Sequence, residues 1–79
     1  IALNNLAWLY QTQGDRRAID TARKAYTLSP KNGPIMDTYG WILSQNGLKD
    51  EAVKILSEAV ALTPNNKEIA KHLKEASNL

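Results

Sequence analysis

The chain repeats itself. Leu6–Gly14 aligns with Tyr39–Gly47 at an offset of 33 residues, and Ala18, Ala25, Leu28 and Pro30 align with Ala52, Ala59, Leu62 and Pro64 at an offset of 34. A period of this length constrains the fold more than any composition does. Each unit is one supersecondary element that cannot bury its apolar face alone, so neighbouring units must stack. The change of offset places a one-residue deletion between Gly14 and Ala18, in a turn, where it is tolerated best.

Each unit holds two helical stretches. The first ends at Gly14 or Gly47, where glycine supplies a left-handed C-terminal cap. The second ends at Leu28-Ser29-Pro30 or Leu62-Thr63-Pro64, because proline cannot continue a helix and biases the residue before it away from helical angles. Gly33-Pro34 places proline in a first turn, where its missing N–H does no harm. Asp15 and Asp50 are expected N-caps, and Asn65 with Glu68 has the form of a capping box. The spacing predicts five helices, over about 1–13, 16–28, 33–46, 50–62 and 66–77. No stretch alternates with period two for long enough to make a strand.

Composition removes several classes of function. With 79 residues the chain makes one small domain or a piece of something longer, and its first residue, Ile1, favours a piece. Without cysteine there is no disulfide framework, thiolate metal site or cysteine nucleophile. A single histidine leaves no His-based metal site or Ser-His-Asp triad to expect, and neither a phosphate-binding glycine loop nor a paired-carboxylate motif is present. No cofactor is expected. No apolar run reaches the ~18–20 residues of a membrane span. Ten Lys/Arg against eight Asp/Glu give a net charge of +2, too small an excess to imply nucleic acid.

The residues that recur resemble those of the tetratricopeptide repeat. Its pattern has a small residue midway along helix A, glycine at the A–B turn, alanines inside helix B and proline at the end. Gly40, Gly47, Ala52, Ala59 and Pro64 match it in the second unit, with Tyr39 and Leu43 at its large positions; Ala7, Gly14, Ala18, Ala25 and Pro30 match in the first. Met36, Ala22 and Leu56 depart from it, standing where the family often has aromatics. The string Asp37–Leu43 also resembles a bacterial subgroup that accompanies exopolysaccharide and PEP-CTERM systems. The main resemblance implies an all-α superhelix: a single domain of two helix-turn-helix repeats, about 1–31 and 32–65, plus a capping helix at about 66–77.

In such a stack Gly40 and Ala7 are expected to face Ala52 and Ala18. Leu6, Leu9, Tyr10, Ile19, Tyr26 and Leu28 are expected to fill the first repeat. Met36, Tyr39, Ile42, Leu43, Val53, Leu56, Val60 and Leu62 are expected to fill the second. The last helix has a narrow apolar stripe, Ile69, Leu73 and Ala76, with Lys74 in register with Gly40, and reads as a solvating cap. The first helix has no such cap, which favours earlier repeats in a parent protein and self-association through that end.

The resemblance also implies a concave groove lined by A helices. Carried over by register, its residues are Asn4, Asn5, Trp8, Gln11 and Thr12, then Asp37, Thr38, Trp41, Ser44 and Gln45. The capping helix adds Lys71 and His72, with Glu68 and Glu75 beside them. Trp8 and Trp41 either pack between A helices or face the groove. Some relatives clamp a terminal carboxylate with lysine, asparagine and arginine; here those places hold Asn4, Trp8, Thr38, Glu68 and His72, and that specificity is not expected. Arg16, Arg17, Arg23 and Lys24 read as a solvated outer face, with Asp20 paired to Lys24, and His72 as an exposed residue. The expected function is a non-catalytic module that holds a protein or peptide partner in the groove of a larger array. The alternatives are an architectural spacer, or an accessory segment of a bacterial envelope or exopolysaccharide assembly protein. The second would place it in the periplasm or envelope; otherwise it is expected in the cytoplasm.

Overall fold

The structure is a computed structural model that describes residues 2–79; Ile1 lies outside them. Five helices follow one another: α1 (Ala2–Thr12), α2 (Arg17–Leu28), α3 (Gly33–Gln45), α4 (Lys49–Leu62) and α5 (Lys67–Ser77). There is no strand among the described residues. The fold is an all-α helical-repeat superhelix, as the period requires.

The two repeats turn their corners identically. Gly14 and Gly47 have φ of 69° and 76°, a region open to glycine at no steric cost. In both corners the residue after the glycine reaches back across the turn. Asp15 N–H donates to Tyr10 C=O at 2.8 Å, and Leu48 N–H to Leu43 C=O at 3.0 Å, the 6→1 bond that uses otherwise orphaned carbonyls. The starts of α3 and α5 also match. Asn32 and Asn66 Oδ1 each accept the N–H three residues on, Ile35 and Ile69, at 3.0 Å, worth about 1 kcal/mol apiece.

Some expected caps differ. Asn66, not Asn65, caps α5, because the turn after Thr63 needs one more residue before the helix begins. Asp50 lies inside the first turn of α4, whose cap Leu48 offers no side-chain bond; Asp50 still favours the positive end of the helix. Asp15 stands one residue before the cap of α2, Arg16, which makes no side-chain bond, although the Asp15 carboxylate accepts the Arg17 amide hydrogen at 2.9 Å.

Packing gives the chain its curvature. Consecutive helices pack against each other; in addition α1 touches α3 and α3 touches α5, whereas the backbones of α2 and α4 stay apart and only Arg23 reaches across, to Glu51 at 3.9 Å. The A helices therefore form the inner row and the B helices splay outward. A wedge of 450 Å³ opens between the ends of α2 and α4, lined by Tyr26, Met36 and Leu62 among others.

The core is centred on α3 and α4. Met36, Ile42, Leu43 and Leu56 are fully buried, together with Ile69 from α5. The alanines expected at the helix seams, Ala7, Ala18, Ala25, Ala52 and Ala59, are all buried. Their partners are not all those expected. A Cβ built on Gly40 would lie 2.5 Å from Leu56 Cγ, so the notch receives Leu56 rather than Ala52. The first repeat has Ala7 and Ala22 at these two positions, a larger residue at one and a smaller one at the other. Leu6, Leu9, Leu28 and Leu62, expected as core, are exposed. The reason is positional for the first two: α3 is covered by α2 on the corresponding face, and no helix among the described residues covers that face of α1.

Gly40→Ala should overpack this seam, because Leu56 is fully enclosed and cannot retreat. The expected loss is about 1–3 kcal/mol. In a Leu56→Ala background the same change should cost nothing, since it recreates the Ala7–Ala22 combination. Chemical denaturation of the four proteins of this double-mutant cycle checks it, and additive effects would contradict the assigned contact.

Candidate functional site

Successive A helices run parallel and lie one repeat apart, so residues 33 to 35 apart in sequence become neighbours across the inner surface. Three such pairs are made. The indoles of Trp8 and Trp41 stack with centroids 4.6 Å apart and planes at 30°, an arrangement worth about 0.5–1.5 kcal/mol beyond burial. Asn46 Nδ2 donates to Gln11 Oε1 at 3.1 Å and to Ile42 C=O at 2.7 Å. His72 Nδ1 lies 2.7 Å from Asp37 Oδ1. The His72 ring also approaches Trp41, centroids 6.4 Å apart. The result is a ladder, Trp8–Trp41–His72, crossing all three A-type helices.

The ladder is open at one end. Trp8 is 45% exposed, whereas Trp41 is half-buried between its neighbours. The two readings of these tryptophans are therefore both true: they pack together, and Trp8 still offers a surface. Beside it Asn4, Asn5, Leu9, Thr12 and Thr38 line a depression of 490 Å³. Thr12 and Thr38 hydroxyls donate to the carbonyls of Leu9 and Pro34, leaving their oxygens as acceptors. Asn4 Oδ1 is buried and has no hydrogen-bond partner, an arrangement that costs free energy until a donor reaches it.

Other expected groove residues behave differently. Ser44 is buried, and its hydroxyl donates to Trp41 C=O at 2.7 Å, so it is not offered to a ligand. Gln11 is engaged with Asn46. Gln45 and Lys71 are exposed. His72, expected to be exposed, is 13% exposed at its side chain, and Asp37 18%. Asn46 and Leu9 were not among the expected site residues, nor was the Asp37–His72 pairing. Asn46 with Gln11, and His72 with Asp37, are each 35 residues apart, about one repeat length, whereas Leu9 carries no such signal.

The electrostatics of two aspartates run in opposite directions. Burial pushes the Asp37 carboxyl above its ordinary value of 3.8, against the lowering effect of the His72 hydrogen bond, with Glu68 adding to the rise. Hydrogen bonds from Arg17 hold Asp15 down at about 2. The basic group on the outer face is largely committed to structure. Arg17 pairs with Asp15 at 2.7 Å and covers the Tyr10 ring at 4.3 Å. Arg23 donates to Tyr39 Oη at 3.1 Å and sits 3.5 Å from Asp20, which pairs with it rather than with Lys24 because Arg23 reaches both groups.

The tetratricopeptide repeat profile matches residues 2–32 and 34–66, and the chain belongs to that family. Such repeats generally mediate protein–protein interactions, and proteins built of them are typically non-catalytic scaffolds. No curated protein matches the chain. Among the described residues no helix is long and apolar enough to cross a membrane, and no cluster of His, Asp and Glu could hold a metal.

The pH response follows from the two aspartates. Asp15, with its folded pKa depressed, contributes stability present above 3.8 and lost as pH falls towards about 2. Asp37, with its folded pKa raised, contributes stability fully present below 3.8 and lost as pH rises through its folded value. Carboxyl-carbon NMR titration should place Asp15 near 2 and Asp37 above 3.8. An Asp37 that titrates at or below its ordinary value would contradict the burial of the pair.

Proposed function

We propose that this tetratricopeptide repeat chain binds an extended segment of a protein partner along its inner surface, seated on Trp8. The observation that carries the reading is the open face of a tryptophan held rigid by Trp41, beside uncommitted amides of Asn4 and Asn5. A rigid aromatic gives contact area at little entropic cost, which is why tryptophan is over-represented at binding hot spots. Asparagine side chains bond to peptide backbone, and the buried Asn4 Oδ1 still lacks a donor. In this reading the module acts by binding alone.

Two readings of other kinds remain as alternatives. An architectural spacer would use the Trp8–Trp41–His72 ladder only to hold its A helices together. An accessory role in bacterial envelope or exopolysaccharide assembly rests on the resemblance of Asp37–Leu43 alone.

Selection from a displayed library of extended peptides tests the reading. Selected peptides should alter tryptophan emission on binding, and Trp8→Ala should weaken them about tenfold or more. Peptides that bind Trp8→Ala and Asn5→Ala as well as the parent protein would reject the inner surface as the site. A library that yields no binder would favour the spacer.

A further inference from the structure

We propose that the partner segment on the inner surface, the reading on which this rests, carries an arginine whose guanidinium lies on the indole of Trp8. Asn4, Trp8 and Thr12 of α1 share a depression of 490 Å³ with Thr38 of α3. The site therefore spans two A helices and is distinct from the outer face of α1.

What the depression offers is acceptors. Asn4 Oδ1 is buried without a hydrogen-bond partner. The Thr12 hydroxyl donates its proton to Leu9 C=O at 2.8 Å, and the Thr38 hydroxyl donates to Pro34 C=O at 3.2 Å. Both hydroxyl oxygens can still accept, but their protons are in use. A carboxylate, which only accepts, would bring nothing to these groups. A ligand with several N–H groups would satisfy them, and a buried acceptor left alone costs free energy until one arrives.

The charge of the two helices points the same way. Neither α1 nor α3 contains a lysine or arginine, although the whole chain has ten. Their one charged residue is Asp37, the chain neighbour of Thr38. The first cation in register beyond Thr38 is Lys71, on α5, one helix further from Trp8. Nothing on α1 or α3 repels a cation.

The aromatic ring selects which cation. Trp41 backs one face of the Trp8 indole, with centroids 4.6 Å apart, and Trp8 is still 45% exposed. An indole face attracts a cation within about 6 Å, more strongly than the other aromatic rings do. A guanidinium is planar and weakly hydrated, so it can lie flat on the ring while the N–H groups at its rim reach acceptors alongside. An ammonium is a compact, strongly hydrated point charge and cannot do both. Arginine, rather than lysine, matches the aromatic face and the acceptors together.

The test titrates the full chain with pools of acetylated, amidated heptapeptides, random except for a fixed central arginine, lysine, leucine or glutamate. Tryptophan emission reads the binding. The arginine pool should bind about tenfold tighter than each of the others, and its affinity should fall as salt rises. Thr38→Val, which keeps the shape and removes an acceptor, should narrow that preference, and Trp8→Leu should abolish it. A lysine, leucine or glutamate pool that binds as tightly as the arginine pool overturns the inference; where Trp8→Leu weakens that pool too, the inner surface remains the binding site for a different ligand. A preference for arginine that survives Trp8→Leu overturns the inference equally. Binding by no pool rejects the inner-surface reading and the inference with it.

Discussion

The closeness of α3 and α4 at Gly40 sets the geometry of everything around it. With no Cβ at that position Leu56 enters the seam, and α3 is held where its opposite side can meet α1 and α5. Because the contact recurs once per repeat, successive A helices arrive parallel and displaced by one unit. The inner ladder of Trp8, Trp41 and His72 is a consequence of that displacement. The inner surface is therefore built by backbone spacing first and by side-chain chemistry second.

The two repeats solve the same spacing problem with different residues. One pairs glycine with leucine, the other alanine with alanine. A close-packed interior tolerates such exchanges when the summed volume at a seam is kept and resists them when only one side changes. This also explains how Met36, Ala22 and Leu56 can depart from the family pattern while the fold is retained. The same economy applies to charge. Arg17 and Arg23 look like free surface cations in sequence, yet each spans an aromatic ring and a carboxylate and so ties neighbouring helices or turns together.

Much of this was legible in the sequence, for identifiable reasons. Helix ends are local events: Gly14, Gly47, Pro30 and Pro64 mark them through their own backbone preferences, and the five helices lie within a few residues of expectation. The alanine seams were legible because their spacing repeats. What escaped depends on where one helix sits against another. Leu56 rather than Ala52 opposite Gly40 is a matter of axial offset. Asp37 with His72 is a meeting across 35 residues that no local pattern announces. The exposure of Leu6 and Leu9 depends on which helices lie against α1, which a residue type cannot report. Ser44 lost its place in the site because its hydroxyl turned to its own helix, a choice made at the level of rotamers.

The inner surface thus combines a rigid aromatic step with amides that still have bonding capacity, on a scaffold that commits its arginines to packing. The stacking of Trp8 on Trp41 is the point at which the fold and the proposed function meet. It is also directly observable. Two indoles at this separation couple excitonically, so the far-ultraviolet circular dichroism of the chain should carry a tryptophan couplet that disappears in both Trp8→Phe and Trp41→Phe. Absence of the couplet in the parent chain, or its survival in either variant, would contradict the parallel placement of the A helices on which the account rests.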